Sequence, residues 1–308
     1  MSSTIKTVAI AGASGSLGRP VTQALLEAGF TVTALTRSDS KSTFPTGVTA
    51  LPVDYSSVEN LTTALRGQDA LISTLASAGV SSQTDLINAA VAAGVKRIIP
   101  SEFGSDTSNA RARALPVFKD KVETAELVER LSAQSGGKTT YTFVLNGAFL
   151  DWGVERSFLV DVKSRKYDFV NGGNTHFTSN PLPFVAKAVV AILQRPEATT
   201  NKTIRLQAAR LTQREFLAIV QRVTGTSDSE WTVTESDSQS IEKEAFANLK
   251  ADPSNALAWT LPMLRLTVHA DGFGGDFGEA GERDNELLGL KGLSREEIEK
   301  VIGDAVTA

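Results

Sequence analysis

Short apolar runs rich in β-branched residues alternate with amphipathic stretches through the first half of the chain. Runs of this length and composition are typical of strands buried on both faces of a sheet. The predicted strands are Thr7–Ala11, Thr31–Thr36, Val48–Val53, Ala70–Leu75, Val95–Pro100 and Thr140–Leu145. Between these runs apolar residues recur at helical spacing, and Gly29, Gly67 and Gly94 end three predicted helices. This alternation predicts βαβ units and therefore a parallel sheet with helices on both faces.

The second half of the chain has a less regular pattern, and no low-complexity linker precedes it. Its predicted strands and helices are Lys166–Val170, Phe184–Leu193, Thr203–Leu206, Glu215–Val223 and a terminal helix from Ser294. We therefore predict an α/β fold with a doubly wound, Rossmann-like parallel sheet over residues 1–150. Residues 151–308 are predicted to form a smaller α+β lobe that is not separately tethered.

Composition and charge exclude several classes of protein. Hydrophobic residues make up 41% of the 308 positions and charged residues 21%, which is typical of a globular chain. The net charge is -4 without a dense basic block, so we expect no nucleic-acid partner. The chain has no Cys, and its two His residues, His176 and His269, lie far apart, so we expect no metal site. No apolar stretch approaches the ~20 residues of a membrane span, and we expect a cytoplasmic protein without membrane contact.

A glycine-rich turn lies directly between the first predicted strand and the first predicted helix. Its residues are Gly12, Ala13, Ser14, Gly15, Ser16, Leu17 and Gly18, in the spacing G-x-x-G-x-x-G. Glycine lets the backbone turn tightly and approach a pyrophosphate, whose charge then meets the N–H groups at the helix start. Within a βαβ series, this turn favours a dinucleotide-binding domain over residues 1–150. The alternative is a glycine-rich turn that binds no ligand.

The residues after the second predicted strand indicate which dinucleotide is bound. Sites selective for NAD usually place an acidic residue there, whereas this chain has Arg37, with Lys41 in the same polar loop. A guanidinium pairs with a 2′-phosphate through two hydrogen bonds, so these residues favour NADPH or NADP+. The alternative is a solvated arginine. Thr74 and Leu75 follow the fourth strand, and we expect their backbone groups to lie near the cofactor ribose.

The usual catalytic motif of short-chain dehydrogenases, Tyr-x-x-x-Lys, is absent from the sequence. Two other features are present: the segment Pro100–Gly104 reads PSEFG, and Lys121 lies three residues after Phe118. Together with the glycine turn and Arg37, they resemble the isoflavone reductase-like proteins, which belong to the NmrA-like atypical short-chain dehydrogenases. The resemblance is specific over the first half of the chain and weaker beyond it.

The resemblance implies an enzyme that transfers a hydride from NADPH to a small, often aromatic substrate in specialised metabolism. It assigns the catalytic role to Lys121, whose ammonium would polarise or protonate a developing oxyanion. Phe103, Lys121 and Asn146 would then lie beside the cofactor, and Phe149 and His176 near the substrate. The C-terminal lobe would shape the substrate pocket.

Other interpretations stay open at this point. The NmrA branch suggests a non-catalytic regulator that senses NADP(H), although such regulators usually lack the family lysine. A third possibility is a cofactor with a structural role beside a pocket that steers a non-redox step. Lys121 itself could be an ordinary helix lysine beside Asp120 and Glu123. The sequence does not indicate an oligomeric state.

Overall fold

Twelve strands and twelve α-helices are present in residues 4–76 and 83–308, the part of the chain that the computed structural model describes. The strands are β1 (Thr7–Ala11), β2 (Thr31–Arg37), β3 (Val48–Val53), β4 (Ala70–Ser73), β5 (Arg97–Ile99), β6 (Thr140–Leu145), β7 (Ala148–Phe149), β8 (Lys166–Val170), β9 (His176–Asn180), β10 (Lys202–Arg205), β11 (Ala209–Thr212) and β12 (Thr232–Ser236). The helices are α1 (Gly18–Glu27), α2 (Val58–Leu65), α3 (Gln83–Ala92), α4 (Ala110–Arg113), α5 (Lys119–Gln134), α6 (Leu150–Glu155), α7 (Leu182–Gln194), α8 (Gln213–Thr224), α9 (Ser238–Ala251), α10 (Ala256–His269), α11 (Gly278–Leu288) and α12 (Arg295–Thr307). Within the described residues, no helix is both long and apolar enough to cross a bilayer.

Seven parallel strands form the main sheet, in the order β10-β6-β5-β4-β1-β2-β3. The strand order reverses between β1 and β4, because the chain runs outward from β1 to β3 and then crosses back. In open α/β sheets, ligands bind at such a switch point, outside the carboxyl ends of the strands. The predicted doubly wound, Rossmann-like fold is confirmed.

The alternation of side chains along β1 explains why helices cover both faces of this sheet. Val8 and Ile10 are fully buried in one apolar cluster, together with residues of α1 and α7. Ala9 and Ala11 are fully buried in a second cluster, with residues of α2, α3 and α5. Because successive side chains of a strand point to opposite faces, a run without polar residues requires a cover on both sides.

The main sheet takes its seventh strand from the second half of the chain. β10 pairs with β6 in parallel, with Ile204 opposite Val144, and α7 packs beside α1. The sheet therefore draws on residues from both sides of the boundary predicted at residue 150. The division into segments 1–150 and 151–308 stays a prediction.

The remaining elements of the second half form a smaller α+β layer. It contains a three-stranded sheet in the order β11-β9-β7 and a two-stranded sheet of β12 and β8. Its apolar core includes Phe177, Phe216 and Ile302 from β9, α8 and α12. The strands β7, β9, β11 and β12 were not predicted from the sequence pattern.

A buried arginine joins β5 and β6 to the loop that precedes β10. Arg97 is 2% exposed, and its guanidinium donates to the Thr140, Thr142, Thr199 and Thr200 hydroxyls and to the Pro196 carbonyl. All these acceptors are neutral, and burial lowers the pKa of Arg97 to about 10.

We expect Arg97→Met to lower the free energy of unfolding by about 2–4 kcal/mol, since it removes this set of charge-assisted hydrogen bonds from the interior. Urea unfolding followed by circular dichroism measures the change. Arg66→Met, at an exposed position after α2, is the control and should leave the unfolding midpoint unchanged. Equal midpoints for both variants would contradict the structural role given to Arg97.

Candidate active site

The carboxyl ends of β1, β4, β5 and β6 meet at one rim of the main sheet. Two sets of hydrogen bonds join the loops that follow β4, β5 and β6. The Ser101 hydroxyl donates to the Leu75 carbonyl at 2.7 Å, and the backbone N–H groups of Asn146 and Gly147 donate to the Gly104 carbonyl at 3.1 and 2.9 Å. The PSEFG segment is therefore fixed at its second and last positions against its neighbours.

The glycine turn after β1 has no room for side chains at two of its three glycines. A Cβ on Gly12, whose φ is +81°, would lie 2.8 Å from the Thr74 carbonyl oxygen. A Cβ on Gly18 would lie 2.1 Å from the Gly12 carbonyl oxygen. At the start of α1, Leu17 supplies no capping side chain. The Arg19 N–H donates to the Gly15 carbonyl at 3.0 Å and Pro20 carries no N–H, so the Gly18 N–H is the group of this turn left without an acceptor among the described residues. This arrangement fits a cofactor pyrophosphate.

The other residues predicted around the turn differ in what they present to a ligand. Gly15 and Ser16 are exposed and Ser14 is half-buried, whereas the Leu17 side chain lies in the apolar cluster beneath the sheet, so only its backbone faces the turn. Thr74 is buried, and both its N–H and its hydroxyl donate to the Ala11 carbonyl, at 2.8 and 3.0 Å. The Thr74 hydroxyl proton is therefore already used within the protein, and only the backbone around Thr74 is left for contacts with a ligand.

Three basic residues lie around the glycine turn and the end of β2. Arg37 is exposed, with its Nε atom 3.6 Å from a carboxylate oxygen of Asp39, and Lys41 is exposed in the following loop. Arg19 was not predicted as a site residue; its Nε donates to the Ser14 carbonyl at 2.9 Å, which holds its guanidinium over the turn. The signal for Arg19 was its position directly after the last glycine of the motif.

A cavity of about 460 Å³ lies between the start of α1 and the loop after β2. Its lining includes Ala13, Arg19, Gln23 and Phe44. The cavity has both polar and apolar walls, which suits the phosphorylated part of a ligand that binds beside the turn.

Lys121 lies in the first turn of α5, and its ammonium reaches the PSEFG segment. Its Nζ atom donates to the backbone carbonyl of Glu102 at 2.5 Å. A Cβ built on Gly104 would lie 3.4 Å from the same Nζ atom, so a glycine leaves the ammonium room beside the loop. Burial lowers the pKa of Lys121, and the charge of Glu102 acts in the opposite direction. The structure thus brings the predicted lysine to the loop that follows β5.

Glu102 is a second ionisable group at this place that was not predicted as a site residue. It is 1% exposed, and one of its carboxylate oxygens accepts a hydrogen bond from the Thr107 hydroxyl at 2.7 Å. Burial raises the pKa of Glu102, and Lys121 counteracts this effect. The available signal was an acidic residue inside the PSEFG segment, whose other side chains are small or apolar.

The segment after β6 is held by the second layer of the molecule. Asn146 is fully buried, and its carbonyl accepts from the side chain of Asn180 at 2.7 Å. Gly147 has a φ of +59°, and a Cβ there would lie 2.2 Å from the Thr178 carbonyl oxygen. The side-chain oxygen of Asn146 has no hydrogen-bond partner among the described residues, so it is a buried acceptor at this end of the rim.

The three remaining predicted residues lie in different surroundings. Phe103 is 7% exposed and belongs to the main apolar cluster, and Phe149 is half-buried at the end of β7, directly before α6. His176 begins β9, whereas Asn180 at the other end contacts Asn146; at 3.3 Å per residue the two ends are about 13 Å apart. His176 lies instead near the carboxylates of Glu215 and Asp276. The structure does not bring it beside the Asn146 end of the rim.

The fold, with a glycine turn between β1 and α1, defines a Rossmann-like protein, and comparison with known proteins gives its family. The NmrA-like family model matches residues 4–252, and the chain belongs to this family. Oxidoreductase poxI of Penicillium oxalicum is 33% identical over 302 residues, covering 94% of this chain and 91% of the relative. The isoflavone reductase homolog IRL of Zea mays is 28% identical over 241 residues, covering 73% and 76%. The predicted resemblance to isoflavone reductase-like proteins is confirmed, and these relatives support an NAD(P)-dependent oxidoreductase.

A solved structure agrees with this assignment at the level of the fold. The binary complex of leucoanthocyanidin reductase with NADPH, from Vitis vinifera, superposes with a TM-score of 0.77. The two chains are 18% identical, and the alignment covers 98% of this chain and 100% of the reductase.

Proposed function

We propose that the protein is an NADPH-dependent reductase of a small, aromatic or conjugated specialised metabolite, and that Lys121 assists the hydride transfer. The observation that carries this proposal is the Lys121 ammonium, which a hydrogen bond to the Glu102 carbonyl holds at the sheet rim that also carries the glycine turn. The family relatives and the NADPH complex of the Vitis reductase support the same chemistry.

The residues of the chain would divide the work as follows. The glycine turn and the start of α1 bind the pyrophosphate, and Arg37 and Arg19 neutralise the 2′-phosphate. NADPH, when bound, supplies the hydride. The Lys121 ammonium stabilises the negative charge that develops on a substrate oxygen, and its Nζ can deliver a proton there. One Nζ hydrogen bond is present among the described residues, so two of the three N–H donors remain for this task.

We expect the protein to bind NADPH at least about tenfold more tightly than NADH, because one charge-assisted, bidentate contact contributes ~1.5–3 kcal/mol. Arg37→Ala should remove most of this preference, since it removes the guanidinium without touching the glycine turn. Calorimetric titration of both cofactors into the protein and the variant measures the difference.

Arg66→Ala is the matched control for Arg37→Ala, because it removes an exposed arginine at the opposite end of the sheet. It should leave both affinities unchanged. Equal affinity of the unmutated protein for NADPH and NADH would contradict the cofactor assignment.

A further inference from the structure

We propose that Glu102 is a positioning residue for Lys121. The Glu102 carboxylate keeps the lysine protonated, while the Glu102 backbone carbonyl fixes the ammonium at the rim. The inference rests on the proposed function, in which Lys121 acts beside the nicotinamide. It gives a role to Glu102, a buried acid that is not required for binding the cofactor.

The loop geometry leaves Glu102 little freedom to move away from Lys121. Ser101 on one side is bonded to the Leu75 carbonyl, and Gly104 on the other accepts two backbone hydrogen bonds from the segment after β6. The ammonium donates to the carbonyl of Glu102, not to its carboxylate. The Glu102 carboxylate acts on the ammonium through its charge, and no ion pair joins the two groups among the described residues.

The burial of this carboxyl group is costly, and among the residues that the structure describes one hydrogen bond compensates for it. Glu102 is 1% exposed; one oxygen accepts from Thr107, and the other has no partner among the described residues. The charged groups that act on it are Lys121 on α5, Arg113 on α4 and Asp106 in its own loop. A buried acid with an incomplete set of partners, next to a catalytic lysine, is typical of a site that controls the protonation state of that lysine.

Glu102→Gln separates the two roles of this residue. The amide keeps the shape of the side chain and can still accept the Thr107 hydrogen bond, but it carries no charge. Without the carboxylate, the pKa of Lys121 should fall, since Glu102 is the group that raises it against the effect of burial. We expect the alkaline limb of the kcat/KM profile to move about one pH unit or more toward lower pH, with KM for NADPH unchanged.

A second measurement follows Lys121 directly in the cofactor-free protein. The protein is labelled with acetic anhydride across a range of pH, and mass spectrometry of the peptide that contains Lys121 gives the labelling midpoint. This midpoint should be lower in Glu102→Gln by the same amount as the kinetic limb. Thr107→Val, which removes the hydrogen bond that favours the ionised carboxyl, should lower it by a smaller amount.

Thermal unfolding distinguishes this role from a purely structural one. Because burial raises the pKa of Glu102 in the folded state, ionisation of the carboxyl opposes folding, and stability falls as pH rises through that value. Glu102→Gln should therefore be at least as stable as the unmutated protein at pH 8. A structural role would instead appear as a lower unfolding midpoint at that pH.

Glu123→Gln is the control, because it neutralises an exposed acid on the same helix as Lys121. It should change neither the labelling midpoint nor the pH profile. Unchanged midpoints in Glu102→Gln would overturn the inference. Failure of the unmutated protein to oxidise NADPH would argue against the proposed function, whereas the labelling midpoints would still decide whether Glu102 controls the charge of Lys121.

Discussion

Lys121→Ala is expected to lower NADPH-dependent turnover by about 10²–10⁴-fold, the range typical of a lost general acid or oxyanion stabiliser. The affinity for NADPH should fall far less, because the glycine turn and Arg37 lie on other loops of the rim. The measurement is steady-state oxidation of NADPH with any accepted substrate from a panel of carbonyls, enones and benzylic ethers, alongside calorimetric binding of the cofactor.

Two further variants define what the lysine does. Lys121→Arg should restore little activity if Nζ transfers a proton, because a guanidinium hardly releases one, and more if only the positive charge matters. Lys119→Ala is the control, since Lys119 is exposed and its closest acid is Glu123 at 3.9 Å. Full activity in Lys121→Ala would contradict this role of Lys121. Tight NADPH binding without turnover on the whole panel would favour the NADP(H)-sensing regulator.

Gly18→Ala is expected to weaken NADPH binding by about 100-fold or more, because two charge-assisted backbone contacts to phosphate contribute roughly that factor together. The new Cβ would lie 2.1 Å from the Gly12 carbonyl oxygen and 2.8 Å from backbone atoms of Ala13. Both neighbours are backbone, so the turn itself has to open. Calorimetry measures the affinity, and a thermal unfolding scan reports the accompanying loss of stability.

Gly303→Ala provides a matched control in helix α12. A Cβ there would meet only the Val223 side chain, at the ordinary contact distance of 3.8 Å. This variant should bind NADPH as the unmutated protein does, with an equal or higher unfolding midpoint, since alanine favours helix. Unchanged affinity in Gly18→Ala would show that the turn does not cradle the cofactor.

Five of the six strands predicted for the first half of the chain are mostly buried runs whose cover comes from neighbours of the same sheet, whereas the edge strand β3 is mostly exposed. β9 was missed because its residues Thr178, Ser179 and Asn180 are polar yet fully buried. Their hydrogen-bond partners come from distant segments, among them Gln207, Ala148 and Leu206. No periodicity within the strand indicates such partners, so only the assembled fold shows why these residues are buried.

Some residues of the candidate site could likewise be located from local sequence, whereas the positions of others depend on the assembled fold. The glycine turn could be located from sequence because strand, turn and helix are adjacent in the chain and their geometry is local. Lys121 was located through the family motif, and its contact with Glu102 depends on how α5 packs beside the loop after β5. The position of His176 depends on the direction of β9 relative to β7 and β11, which the sequence pattern does not encode.

β10 follows β7, β8 and β9 in the chain, and this order affects how the main sheet folds. Without residues 202–205, β6 would be an edge strand paired on one side only, with β5, and without α7 one face of the sheet would lose part of its apolar cover. A chain emerging from the ribosome therefore cannot complete its nucleotide-binding sheet until Arg205 has been synthesised, by which point β7, β8 and β9 have already been translated. The two halves are thus coupled in folding, and a fragment that ends at residue 150 would expose a strand edge ready to aggregate.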